Sequence, residues 1–134
     1  MCPTRGLPEA FAAVAWRRRY RESAYFSSQG WRASIRHFSN KLANGRVFID
    51  AGPGTPDGFR VDVDGNLWCG WGMGEAELDG VRVFNPAGEP IGHISLPERC
   101  ANLCFGGRYR NRLFMAASHS LYALYVNTQG AHGG

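Results

Sequence analysis

Residues 55–70 read Thr-Pro-Asp-Gly-Phe-Arg-Val-Asp-Val-Asp-Gly-Asn-Leu-Trp-Cys-Gly, and they constrain the fold more than any other stretch. Phe59, Val61 and Val63 alternate with Arg60, Asp62 and Asp64. That period of two belongs to a strand with one buried face, which places Asp62 and Asp64 outward. Asp64-Gly65, with Asn66 beside it, supplies the positive-φ turn of a hairpin, and Leu67-Trp68-Cys69 resumes the sheet. Asp57 stands at the mouth of the first strand. Pro56 stiffens the backbone before it and Gly58 frees the backbone after it.

The same arrangement comes a second time. Asp57 precedes Leu67-Trp68 as Asn102 precedes Leu113-Phe114, and the two polar residues are separated by one repeat length. Strands are predicted at 58–63, 67–70, 80–85 and 91–96, then at 102–105, 113–116 and 121–126. A pair of strands is predicted at 34–38 and 46–50, joined through a turn at Asn44-Gly45. Four-strand units at a period of about 40–50 residues are the mark of a β-propeller, whose blades stack around a central channel. The expected fold class is therefore all-β. Radial symmetry would aim Asp57 and Asn102 at one axis. An axis that collects oxygen ligands from several blades suits a hard divalent cation, which could polarise a carbonyl and activate water.

Pro56-Asp57-Gly58-Phe59 followed by Asp64-Gly65-Asn66-Leu67-Trp68 resembles the signature of the gluconolactonase / senescence marker protein (regucalcin-like) family. Further pieces agree in order and spacing: 79–89, Leu96 to Gly107, and the strands Arg112 to Ser118 and Ser120 to Tyr125. The resemblance spans about residues 33–130. It implies about two four-stranded antiparallel blades of a six-bladed propeller in a truncated chain, since family members are roughly twice as long. It implies hydrolysis of a sugar lactone, with a divalent metal in the channel. Calcium is the first choice, and zinc, manganese and magnesium are alternatives. Carried over residue by residue, Asp57 becomes a metal ligand and the base toward water, and Asn102 a pocket or metal-binding residue. The family's first-blade Glu and middle-blade Asn ligands have no counterpart here. The expectation is weak calcium binding and a lactonase activity that is impaired or absent.

Each candidate has a plainer alternative. Asp57 is also a common turn residue, and Asn102 could satisfy backbone groups at a strand start. Arg99 and Glu75 are weaker candidates for substrate contacts, against a reading as solvated charges. His93 and His119 lack partners at metal-ligand spacing. Ser118-His119-Ser120 is not a hydrolase triad, because no Gly-x-Ser-x-Gly elbow is present. Trp68 and Trp71 read as packing aromatics. The cysteines, Cys2, Cys69, Cys100 and Cys104, have no Cys-x-x-Cys pair and read as structural.

Residues 1–32 carry no resemblance and are expected to be irregular or to form a short helix from Phe11. They form a basic segment before the partial propeller at 33–130. The formal charge of +4 conceals an excess of basic residues in the first 46 positions, including Arg17-Arg18-Arg19 and Arg21. Such a head is either a solvated segment or an arm for nucleic acid or a membrane, and the solvated segment is the favoured reading. No apolar stretch is long enough to span a bilayer, and the arginine run follows the apolar stretch at Ala10 to Trp16, the wrong order for a secretory signal. The cytoplasm is the default compartment, with the periplasm open to a longer parent protein. A second class of function is a non-catalytic β module that pairs through open blade edges, with self-association as one form of it.

Overall fold

In a computed structural model the backbone is described for residues 12–17, 20–27, 30–36, 42–73 and 75–131, and side-chain environments are described from Val47 onward. Three antiparallel sheets follow one another along the chain. The first is β1 (Ala12–Arg17), β2 (Tyr20–Ser27), β3 (Gly30–Arg36) and β4 (Leu42–Ile49); the second is β5 (Thr55–Val61), β6 (Leu67–Gly72), β7 (Gly80–Phe84) and β8 (Pro90–Ser95); the third is β9 (Cys100–Gly106), β10 (Arg112–Ala117) and β11 (Leu121–Tyr125). In every sheet neighbours in space are neighbours in sequence. Tight antiparallel connections make this the natural order for short alternating strands. One turn of 3-10 helix, Ala76–Leu78, interrupts the run between β6 and β7.

The described N-terminal residues correct the expectation of a short helix or irregular segment. Ala12–Arg17 pairs with β2, and β2 with β3, in regular antiparallel register. The chain therefore has a third blade-like sheet where about two blades were expected. Asn44-Gly45 is not a turn but lies within β4, where the pairing with β3 slips between Ala33 and Ile35. Gly in a strand at such a slip relieves the pleat without ending it. Of the two strands expected at 34–38 and 46–50, one is the end of β3 and the other the end of β4, with His37 and Phe38 outside the described residues.

The second sheet is the middle layer. On one side Phe59, Leu67, Cys69, Trp71 and Phe84 pack with Ile49 at the end of β4. On the other, Val81 packs with Cys100, Leu103, Leu113 and Met115 of the third sheet. Trp71, Leu113 and Met115 are completely enclosed, and burial of side chains this large stabilises by about 1.5–3 kcal/mol each. Trp68 meets Phe105 edge-to-face at 5.5 Å, and Trp71 lies 5.7 Å from Phe84, so both tryptophans pack the interior as expected. Each sheet is two-faced, and its layers are closed by the next sheet in the chain.

The expected outward position of Asp62 is also corrected. Asp62 is 2% exposed. Its carboxylate accepts hydrogen bonds from the backbone N–H of Asp64 (3.0 Å) and Asn66 (2.8 Å), from Asn66 Nδ2 (2.9 Å) and from Trp68 Nε1 (2.9 Å). Four donors offset the cost of removing a carboxylate from water. Strand β5 has already ended, and Asp62 instead bridges to Gly130, while the N–H of Ala131 donates to the carbonyl of Val61 at 2.9 Å. Val63, expected inside, is 55% exposed in the hairpin turn. Gly65 provides the expected positive φ of 84°.

Candidate functional site

Strands β5 and β9 open the second and third sheets and run beside each other. Asp57 lies within β5, at the one place where the pairing with β6 is interrupted: Pro56 faces Trp71 and Phe59 faces Cys69, so Asp57-Gly58 opposes Gly70 alone. This is a β-bulge, a device that re-aims a side chain out of the regular alternation. Two close approaches hold the strands together beneath it. A Cβ on Gly58 would overlap the side-chain amide of Asn102, and one on Gly70 would stand 2.5 Å from the carbonyl oxygen of Cys100. Glycine is needed at Gly70 because the backbone of β9 fills the space, and at Gly58 because the side chain of Asn102 does.

The result brings two predicted residues to one place. Asp57 is part-exposed and Asn102 is exposed, and the amide of Asn102 abuts the glycine that follows Asp57. Asn102 Oδ1 accepts from its neighbour's N–H, Leu103, at 2.9 Å. Arg99, a weak candidate in the sequence, is the closest polar partner of Asp57. Its Nη2 donates to Asp57 Oδ2 at 2.6 Å, with the two side chains 32% and 39% exposed. Glu75 is exposed at the start of the 3-10 turn, and no described contact joins it to Asp57, Arg99 or Asn102.

Two buried thiols underlie the site. Cys69 Sγ donates to the carbonyl of Asp57 at 3.7 Å, and Cys100 Sγ to the carbonyl of Asn102 at 3.3 Å. Burial pushes the Cys69 thiol far up, against the pull of its bond to Asp57. Burial raises Cys100 to about 11, with the Asp57 charge adding to the rise and the bond to Asn102 opposing it. Both are neutral fillers at neutral pH, as the sequence suggests. Cys104 is exposed, and Cys2 lies outside the described residues.

What fixes Arg99 in place has no local sequence signature. Glu98 Oε2 accepts from the backbone N–H of His119 at 2.7 Å and lies 3.0 Å from its Nδ1, and Glu98 Oε1 accepts from Tyr122 Oη at 3.1 Å. The N–H of Ser118 donates to the carbonyl of Arg99 at 3.1 Å. The β10–β11 turn is thereby tied to the segment that carries Arg99. Hydrogen bonds from Ser120 first, and from His119 and Tyr122, hold the Glu98 carboxyl below its ordinary value. His119 is accordingly a partner of a structural carboxylate, and His93 is exposed on β8.

The donor set does not match a divalent ion. Among the described residues no group of three or more His, Cys, Asp or Glu side chains could hold a metal. The one carboxylate at the mouth already bonds a guanidinium, and Asn102 adds a single amide oxygen. Calcium takes six to eight oxygens.

The model of the SMP-30/gluconolactonase/LRE-like region matches residues 21–119. The chain belongs to this family. The match begins inside the segment where the sequence showed no resemblance, in agreement with the sheet formed by β1–β4. A gluconolactonase of Zymomonas mobilis is 34% identical over 88 residues, covering 63% of this chain and 23% of the relative. A solved structure from Xanthomonas campestris, a gluconolactonase important in glucose secondary metabolic pathways, aligns with a TM-score of 0.67 and 29% identity over 78% of this chain and 33% of that one. Regucalcin of Agrobacterium tumefaciens, a calcium-binding protein, aligns with a TM-score of 0.68 over 82% of this chain and 43% of that one; at 17% identity it shows the fold alone. The three sheets are thus propeller blades of the SMP-30/gluconolactonase type, and the chain spans less than half the length of each of these relatives. No helix among the described residues is long and apolar enough to cross a membrane.

Proposed function

We propose that the chain carries one part of a sugar-lactone hydrolase site, with Asp57 as the general base and Asn102 and Arg99 as substrate contacts. The observation that supports this most is the bulge in β5, which sets Asp57 of a gluconolactonase-family motif beside Gly58, the residue that the amide of Asn102 abuts. In this reading Asp57 takes a proton from a water whose oxygen adds to the lactone carbonyl carbon. N–H groups of Arg99 and Asn102 face the carbonyl oxygen as it gains charge. Collapse breaks the bond from the acyl carbon to the ring oxygen, and that oxygen receives the proton from Asp57. The product is an open-chain hydroxy acid.

General-base catalysis of this kind contributes about 10²–10⁴-fold. A divalent ion, calcium first and zinc, manganese or magnesium next, would polarise the lactone carbonyl when bound. Its further oxygen ligands would have to come from outside Asp57 and Asn102, so the expected activity of this chain is low. Proton release from gluconolactone tests the reading: a rate above the spontaneous one that disappears in Asp57→Ala supports it, and no rate above background overturns it.

A second reading is favoured by the open sheet margins. β8 and β11 are edge strands, and Leu121 and Tyr125 on β11 are each 71% exposed. A non-catalytic module that pairs through these edges, with itself or another sheet, would show concentration-dependent sedimentation. The arginines of the basic head, Arg17 to Arg21, fall around the β1–β2 connection, and Arg18 and Arg19 lie outside the described residues. A phosphate-binding role for them would weaken steeply with added salt.

A further inference from the structure

We infer that Glu98 is a positioning residue for the site: by gripping the β10–β11 turn it sets where the backbone of Arg99 lies, and through Arg99 it fixes which oxygen of Asp57 is left to take a proton. The inference rests on Asp57 as the general base proposed above.

Glu98 and Arg99 adjoin in sequence just before β9, yet their side chains go to different partners. The Glu98 side chain is 16% exposed. One of its oxygens accepts from the backbone N–H of His119 at 2.7 Å and the other from Tyr122 Oη at 3.1 Å. The turn it grips is closed by the N–H of Ala117, which donates to the carbonyl of Ser120 at 2.9 Å. The same turn returns a bond to the neighbouring residue, from the N–H of Ser118 to the carbonyl of Arg99 at 3.1 Å.

Strand pairing alone does not place Arg99. Leu103 faces Met115 and Asn102 faces Ala116, but Ala117 faces Cys100, so the ladder between β9 and β10 slips between Ala116 and Ala117. Such a slip disrupts the ladder locally. Arg99 lies just beyond it, and the bonds to the turn supply the alignment that the ladder has lost.

The guanidinium has little else to hold it. Nη2 donates to Asp57 Oδ2 at 2.6 Å, while Nε is buried with no hydrogen-bond partner. The stem lies against Gly72, where a Cβ would stand 2.5 Å from Arg99 Cγ. A long side chain fixed at one polar atom follows its own backbone, because compensating rotations cost rotamer freedom. Among the described contacts Asp57 Oδ1 accepts no hydrogen bond, and the side chain is 39% exposed. With Oδ2 committed to the guanidinium, Oδ1 is the oxygen that meets water. Once Arg99 is displaced, the carboxylate is free to turn and the base loses its fixed direction.

A double-mutant cycle on the full chain tests this, with kcat/KM for gluconolactone measured per folded molecule in wild type, Glu98→Ala, Arg99→Gln and the double variant. Glu98→Ala should lower kcat/KM about tenfold, since small displacements at a reacting group carry costs of that order. The double variant should be no worse than Arg99→Gln, because Glu98 then has nothing left to position. Losses that multiply, or an undiminished Glu98→Ala rate, overturn the inference. The NMR resonance of Arg99 Nε–H gives a readout independent of activity. Asp57→Asn and Glu98→Ala should both shift it, whereas Asp64→Ala should not. An unmoved resonance in folded Glu98→Ala overturns the inference. Should that variant fail to fold, Glu98→Gln, which keeps one acceptor oxygen, takes its place under the same criterion. A wild type with no rate above background overturns the hydrolase reading, and the resonance then decides separately whether Glu98 sets the Arg99–Asp57 pair.

Discussion

The backbone of Gly58 lies against the side-chain amide of Asn102, so the residue after the candidate carboxylate in β5 touches a side chain of β9. A methyl group at Gly58 has no space unless that amide moves. Gly58→Ala should therefore destabilise the chain by about 2 kcal/mol. Asn102→Gly should restore much of the loss in the double variant, because it removes the atoms that clash. Chemical denaturation of the two single variants and the double variant measures both effects.

Asp62 predicts a larger loss. Its carboxylate collects two backbone N–H groups, the Asn66 amide and the Trp68 indole N–H in a fully enclosed position. Asp62→Ala leaves those donors facing an apolar gap, at a cost of about 3 kcal/mol or more. The transition midpoint in urea should fall sharply, while Asp64→Ala, at an exposed position of the same turn, should change it little.

The acid sensitivity of the β10–β11 tether follows from Glu98. Its folded-state carboxyl is held below the ordinary value of 4.5 by the hydroxyl of Ser120 and by His119 and Tyr122. A carboxyl lowered on folding contributes stability that is complete above its unfolded value and is lost as pH falls through its folded one. The stability difference between wild type and Glu98→Gln should thus be greatest near neutral pH and shrink below about pH 4.5. Denaturation curves across that range check the direction.

Thiol chemistry offers a test of the packing between the second and third sheets. Cys69 and Cys100 are completely buried with raised thiols, whereas Cys104 is exposed. Brief alkylation of the native protein followed by peptide mapping should label Cys104 and spare Cys69 and Cys100. Labelling of all three in denaturant provides the control.

Much of this architecture is legible in the sequence, and the limits are physical. Alternation placed the strands from Thr55 to Tyr125, because half-buried strands impose a period of two on their own residues. It misjudged Asp62 and Val63, where the chain leaves β5 to meet Gly130 in a contact set by distant residues. It missed β1, whose unbroken apolar run Ala12 to Trp16 carries no alternation and reads equally as a short helix, and β2, in which arginine, serine and glutamate dilute the apolar signal. Asp57 and Asn102 could be paired from repeat spacing alone, since equivalent positions in stacked sheets share one end. The bond from Arg99 to Asp57 could not, because it joins residues 42 positions apart through a side-chain geometry that no local pattern encodes. Glu98, which helps fix Arg99, was invisible for the same reason.

The central claim is that Asp57 and Asn102 act on one substrate at one opening, and a double-mutant cycle on lactone hydrolysis tests it most directly. The kcat/KM for gluconolactone would be measured for wild type, Asp57→Asn, Asn102→Ala and the double variant, each above the spontaneous rate. The account predicts a loss of about 10² or more for Asp57→Asn, a smaller loss for Asn102→Ala, and a double variant little worse than Asp57→Asn alone. Losses that simply multiply, or a wild-type rate no faster than background, would contradict it.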